Sequence, residues 1–168
     1  MDTAYKTTLE LDKVLNRAVQ LCACQETKEM MQALEPAPTI EDERYDLTQT
    51  NAINALLIKN GSPRFGSVRE VRRIVAHARK GGILSMGELL EIAATLRNFS
   101  GLSQWYGLSE HEMLPTDDLF FALAPQPVLE KQISESIISP EEMADTASVT
   151  LHDLRRKIRQ TEDSIRTK

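Results

Sequence analysis

Apolar residues recur at intervals of three and four from Leu11 onwards, as Leu11, Val14, Leu15, Ala18, Leu21 and Cys22. That spacing turns one face of a helix toward a core and predicts a first helix here, bent or broken near "CACQETKE" and resumed through "MMQAL". The prolines of "EPAP" prevent continuation, because proline lacks a backbone N–H and drives the preceding residue toward extended backbone. Thr39 is the expected N-cap of the next helix, with Glu41, Asp42 and Glu43 opposing the positive end of its dipole. That helix reaches about Asn60, where Gly61 closes it.

After "GSPRFG", Ser67 and Glu70 form an SxxE capping box that opens a helix ending at Gly81 and Gly82; Ser85 and Glu88 form a second box. The stretch "KGGILSMGE" invites comparison with a loop that cradles phosphate. The pattern GxxxxGK[ST] is absent, so it reads as a joint between two helices, with Lys80 favourably placed at a helix C-terminus. The helix from Met86 runs through "GELLEIAATLRNF" and fades near Gly101, followed by a less regular region. Short helices follow in "TDDLFFAL", capped by Thr116, and from Pro127 through "VLEKQISESI". Ser139, Pro140 and Glu142 have the look of a helix start, although the adjacent Asp, Thr, Ala and Ser weaken any longer helix there.

From Ser148 the pattern changes: Leu151, Leu154, Ile158, Thr161 and Ile165 repeat at three and four with charges between them. This is the seam of a long helix that lies against a partner. It reaches Lys168 without a stop signal, as expected for a piece of a longer protein or for a seam completed by another chain. The fold class expected is all-α, with a multi-helix body over 1–147 and the start of a long helix over 148–168.

At 168 residues, 41% hydrophobic and 27% charged, with Gly and Pro scattered, the chain suits one folded domain with a real core. Twenty basic residues against 25 acidic give no general attraction for nucleic acid, so the distribution of charge matters more than its sum. The opening "MDTAYKTTLELDKV" shows neither a basic leader nor an apolar segment, and nowhere do about 18 apolar residues run together. A cytoplasmic protein with no membrane partner is expected. Cys22 and Cys24 fit a reducing compartment as small packing residues; on a helix, side chains two apart face different ways and cannot chelate one metal together.

His77, His111 and His152 are well separated and match no HExxH spacing, so no metal site is expected. "SEHEM" sets two carboxylates beside a histidine, but adjacent residues fan apart, and a solvated loop outweighs a general acid–base pair. With no GxSxG, Walker or Cys-His set, no catalytic residue is expected. The polar feature with geometry behind it is "SVREVRRIVAHARK". There Arg69, Arg72, Arg73, Arg79 and Lys80 fall on one side of a helix, and Val71, Ile74, Val75 and Ala78 on the other. With Arg64, the interval 64–80 holds six basic residues against one acid, enough to seat phosphate oxygens. A solvated face paired with the acids of 41–46 or 110–118 is the plainer reading and weighs more, because no aromatics are interleaved to stack bases. Arg155, Arg156, Lys157 and Arg159 look like the outside of a coiled coil.

The order of segments resembles the N-terminal part of the bacterial MutS family of the second type, MutS-like proteins with a C-terminal Smr nuclease domain. The carrying stretches are "LELDKVLNRAVQLCACQETKEMMQALEP", "GSPRFGSVREVRRIVAHARKGGILSMGELLEIAATLR" and "EKQISESIISPEEMADTASVTLHDLRRKIRQTEDSIR". Gly81 to Leu90 and the "DTAS" passage from Asp145 are the most specific parts, and 100–127 match poorly. The resemblance implies a helical portion of the core domain that joins lever helices to an ATPase, with the last helix as the start of a lever. It implies an ATP-dependent homodimer that binds branched DNA and suppresses recombination, and it links some members to stalled ribosomes. The family's ATPase and nuclease residues match no position here, so ATP and Mg²⁺ are expected in a domain missing from this chain. Thr27 stands where a Gly is usual, and "PRFGSVREV" replaces the commoner Gly-Gly-Ile-Arg-Asp version, which alters local turns. The implied role is a non-catalytic scaffold of a DNA-binding protein; the alternative is a protein-interaction or dimerisation module with no nucleic-acid contact of its own.

Overall fold

In the computed structural model, which describes residues 8–64, 66, 68–108 and 112–166, the chain divides into two units. Residues 1–70 and 101–124 form the first, and 71–100 and 125–168 the second. Each has its own apolar cluster.

The first unit starts with α1 (Leu11–Leu21), α2 (Gln25–Gln32) and α3 (Ile40–Asn60). The break falls at Cys22 and Cys24, both extended, and helix resumes at Gln25, earlier than "MMQAL". Cys24 Sγ lies 2.9 Å from Thr27 Oγ1 and the Cys24 carbonyl accepts the Lys28 N–H, so the turn is anchored before the apolar run begins. The Thr39 hydroxyl accepts the Asp42 N–H at 3.1 Å, and three acids in the first turn of α3 complement the dipole. Gly61 ends α3 at a φ of 72°, a region costly to residues with a Cβ.

Leu56, Trp105 and Tyr106 are the buried centre of this unit, with Ile53, Leu57, Leu114 and Phe120 packed against them. The Trp105 indole donates to the Gly61 carbonyl at 2.8 Å, while Asn60 Nδ2 donates to the Trp105 carbonyl at 3.1 Å. The end of α3 is thereby clasped from both directions. Tyr106 stacks on Phe120 with ring centroids 3.8 Å apart. Its hydroxyl lies 2.9 Å from Thr116 Oγ1 and donates to Asp117 Oδ1 at 2.6 Å.

These contacts explain two departures from the sequence reading. α5 (Met86–Tyr106) does not fade at Gly101, because Trp105 and Tyr106 must be helical to reach this core, and their burial outweighs about 1 kcal/mol of glycine propensity. Thr116 precedes α6 (Asp117–Phe121) as expected, but its side chain makes no cap. The hydroxyl is fully buried and taken by Tyr106, and Asp117 Oδ2 instead accepts the Leu114 N–H.

The second unit contains α4 (Arg72–Arg79), residues 86–100 of α5, α7 (Pro127–Ser136) and α8 (Val149–Arg166). Ala93, Ile133 and Ile137 are buried together under Met86, Leu89, Leu90 and Ile92. Pro127 occupies the first turn of α7, where its missing N–H would be unpaired anyway.

No helix starts at Ser139. Strands β1 (Ile137–Ser139) and β2 (Glu142–Met143) form a small hairpin, pairing Ile137 with Met143 and Ser139 with Glu142. Two β-branched isoleucines favour extended backbone, and only that geometry keeps Ile137 in the cluster while the chain reverses at Pro140 and Glu141. A single 3₁₀ turn, Asp145–Ala147, follows, and the Ser148 hydroxyl then caps α8 by accepting the Leu151 N–H at 3.1 Å.

Apart from this hairpin the fold is all-α among the described residues. No helix of the described residues is long and apolar enough to cross a membrane.

Candidate nucleic-acid interface and helix seam

The helix at the centre of the basic stretch is shorter than its sequence period implies. α4 spans Arg72–Arg79, with Val71 as an uncapped N-terminus, so Arg69 and Glu70 precede it and Lys80 is its C-cap. Val68 and Val71 are β-branched and disfavour helix, and no described side chain caps an earlier start. Ser67, one half of the expected capping box, lies outside the described residues.

The other end behaves as expected. Gly81, at a φ of 82°, donates to the Ala78 carbonyl and Gly82 to the His77 carbonyl, the paired hydrogen bonds of a glycine C-terminus. The His77 ring lies where a Cβ on residue 82 would stand. Ser85 and Glu88 then close the second capping box: the Ser85 N–H donates to Glu88 Oε2 at 2.7 Å and the Glu88 N–H to Ser85 Oγ at 3.3 Å. The Ser85 backbone N–H foremost, and then the Ser85 hydroxyl, which donates to Glu88 Oε2 at 2.8 Å, hold the Glu88 carboxyl below its usual range.

Ile74 is buried, and Arg72, Arg73, Arg79 and Lys80 are exposed on the opposite side around Ala76. Arg64 and Arg69 are exposed too but belong to the first unit. Arg64, Arg69, Arg73, Arg79 and Lys80 enter no ion pair among the described residues, so the face is solvated there rather than salt-bridged. His111, with Ser109 and Glu110 of "SEHEM", lies outside the described residues.

Along α8, Leu151 is half-buried, whereas Leu154, Ile158 and Ile165 are 53%, 56% and 71% exposed. The stripe foreseen as a seam is thus open over most of its length. Its basic neighbours are not all outward decoration. Asp145 Oδ2 accepts Arg159 Nη2 at 2.6 Å, Oδ1 accepts Arg155 Nη1, and Arg155 also reaches the Met143 carbonyl at 2.8 Å. The Asp145 carboxylate therefore ties the 3₁₀ turn to α8 through Arg155 and Arg159, and Arg155 ties β2 to the same helix. The "DTAS" passage carried that signal, with arginines ten and fourteen residues on; the helical period of 148–168 drew attention away from it.

The Arg155 hydrogen bond, then that of Arg159, holds the Asp145 carboxyl below the ordinary carboxylate range. A depressed folded-state pKa contributes stability that is complete above about pH 4, the unfolded value, and is lost as pH falls through the folded one. Asp145→Asn is therefore expected to melt a few degrees below the parent at pH 7, with the gap closing below about pH 4. Thermal melts from pH 7 to pH 2.5 check this; a gap independent of pH would show that the ion pairs contribute nothing.

Cys22 and Cys24 sit in the non-helical joint, so the helical-face argument against shared chelation does not apply. Each thiol is engaged locally, Cys22 with the Ala18 carbonyl and Cys24 with Thr27. Among the described residues no group of three or more His, Cys, Asp or Glu side chains is placed to hold a metal. Nor do the paired glycines fit ATP, since the amides of Gly81 and Gly82 are already taken by helix carbonyls.

The fold and these sites define an all-α polypeptide whose polar residues chiefly cap helices, latch α8 and leave one basic helix face and one apolar stripe exposed. No family model matches the chain. It is similar to proteins named endonuclease MutS2: 29% identical to that of Clostridium beijerinckii over 95% of this chain, and 31% identical to that of Ruminiclostridium cellulolyticum over its whole length. The Acetivibrio thermocellus protein of the same name is 30% identical over 95% of this chain. The similarity runs along nearly all of this chain, which spans about a fifth of the length of these relatives, 21% to 22%.

Proposed function

We propose that the chain is a non-catalytic helical scaffold within a DNA-binding, ATP-dependent MutS-like protein, with residues 1–147 as its core-like part and 148–168 as the start of a lever helix. The whole protein would act in the cytoplasm as a homodimer on branched DNA, controlling recombination and repair, with stalled ribosomes as a further target. ATP and Mg²⁺, and the nuclease chemistry, would belong to residues outside this sequence. What supports the reading is similarity along the full chain to proteins named as endonucleases, in a segment whose own polar residues are taken by structural hydrogen bonds. The exposed basic face of α4, with Arg64 and Arg69 before it, is the proposed nucleic-acid contact.

The chain is to be titrated into labelled duplex and four-way-junction DNA, following anisotropy from 50 to 200 mM salt. Four phosphate contacts weaken binding roughly a hundredfold across that range. Arg72→Glu/Arg73→Glu is expected to remove the salt-sensitive part. No binding even at 50 mM would sink the DNA contact and leave a scaffold alone.

A second reading, a protein-interaction module, is favoured by the exposure of Leu154, Ile158 and Ile165. Association through such a stripe changes little with salt, which separates the two.

A further inference from the structure

Asn60 is followed by Gly61, and no other glycine of the sequence follows an asparagine or aspartate. Asn16, Asn51, Asn54 and Asn98 precede Arg, Ala, Ala and Phe, whose side chains crowd the nitrogen of the next peptide bond. Glycine leaves that nitrogen open to the asparagine's own carboxamide carbon, and its backbone freedom lets the two atoms meet. In an unfolded chain such a pair reacts without an enzyme. The Gly61 nitrogen gives its proton to hydroxide and bonds to Cγ of Asn60; the Cγ–Nδ2 bond breaks, and the amide leaves as ammonia with a proton taken from water. A water then opens the cyclic imide at either carbonyl, leaving aspartate or isoaspartate. Ammonia is lost and water gained, with no oxidant or reductant.

The fold holds these atoms apart. Asn60 is the last residue of α3, and helical side chains lean toward the N-terminus, away from the following nitrogen. Its Nδ2 donates to the Trp105 carbonyl at 3.1 Å, and the Gly61 carbonyl accepts the Trp105 indole at 2.8 Å with Gly61 at a φ of 72°. Residue 105 thus fixes the carboxamide on one side of the reacting pair and the main chain on the other. Asn60 is half-buried but Gly61 is exposed, so water and hydroxide reach the pair once the clasp opens.

We propose that Asn60 is a deamidation site gated by Trp105, protected while the clasp is closed and reactive when the end of α3 opens. The reaction also prevents reclosure. The product carboxylate has no N–H to give the Trp105 carbonyl and sets two acceptors against each other. It places a negative charge at the negative end of the α3 dipole. The isoaspartate form inserts its methylene into the main chain, which shifts the Gly61 carbonyl from the indole. A transient opening of the first unit thereby becomes a permanent one.

The purified chain is to be held for days in mildly alkaline buffer, beside a synthetic peptide of residues 56–64 as the unfolded reference. Mass spectrometry follows the gain of about 1 Da in the peptide holding residue 60. The parent is expected to react at least tenfold more slowly than the reference peptide. Trp105→Phe keeps a ring in the cluster but removes the indole N–H, and is expected to react at least threefold faster than the parent. Ile133→Ala loosens the second unit and serves as the comparison of lowered stability, expected to keep the parental rate even where Trp105→Phe melts early. A parent as fast as the peptide, a Trp105→Phe variant no faster than the parent, or an Ile133→Ala variant accelerated as much as Trp105→Phe overturns Trp105 as the gate. Asn60→Asp, which carries the product's carboxylate, is expected to melt a few degrees below the parent; an unchanged melting curve overturns the loss of reclosure.

Discussion

Trp105→Ala is expected to cost about 3–5 kcal/mol, the range for truncating a buried tryptophan. The indole is 7% exposed, tilted against Phe120 at 6.0 Å between centroids and clustered with Leu56, so its loss leaves a cavity where α3, α5 and α6 meet. Polar damage adds to this. The Gly61 carbonyl loses its indole donor, and the clasp at the end of α3 is reduced to the Asn60 contact with the backbone of residue 105. Gly101 makes the effect local. Once Trp105 no longer draws Gly101–Tyr106 into the core, the glycine's entropic cost favours fraying from that point. Hydrogen exchange read by mass spectrometry should therefore show protection collapsing over residues 50–60, 101–108 and 112–121, while 86–100, which pack on Ile133 and Ile137, lose far less. Uniform loss along α5 would show that the helix does not divide its packing between two cores.

The features legible in the sequence were those whose causes are local. The Thr39 cap, the Ser85–Glu88 box and the Gly81–Gly82 terminus each depend on residues within a few positions, and each forms with the hydrogen bonds its chemistry requires. The features misread depend on residues far along the chain. Gly101 reads as a stop until Leu56, 45 residues earlier, gives Trp105 and Tyr106 a reason to stay helical. Thr116 reads as a cap until the Tyr106 hydroxyl is found beside it. The "SPEEM" turn reads as a helix start until Ile137 is seen among Ala93 and Ile133. Of the candidate site, the residue types and the exposed basic face of α4 were readable; its late start at Arg72 and the assignment of Arg64 and Arg69 to the other unit were not. Helical period records which residues share a face, and carries nothing of where a helix without a cap begins.

Ile133→Ala is the matching test for the second unit, with about 2–5 kcal/mol expected from the lost methylenes and the cavity they leave. Ile133 is 6% exposed and lies one turn before Ile137, with Ala93 of α5 against both. Ala93, only 2% exposed, has no side chain long enough to fill the gap, so relaxation is small and the upper half of the range is expected. The consequence should travel along the chain. Ile137 opens β1, β1 pairs with β2, the Ala144 N–H donates to the Ser136 carbonyl at 2.9 Å, and Asp145 follows directly to hold Arg155 and Arg159. Loosening α7 therefore loosens the anchor of α8. Exchange should quicken over 86–100 and 127–155, while the Trp105 cluster keeps its protection, the reverse of the Trp105→Ala pattern. If instead α8 held its protection in Ile133→Ala, the Asp145 latch would stand without the hairpin, and the path from the Ile133 cluster to the exposed stripe would be broken.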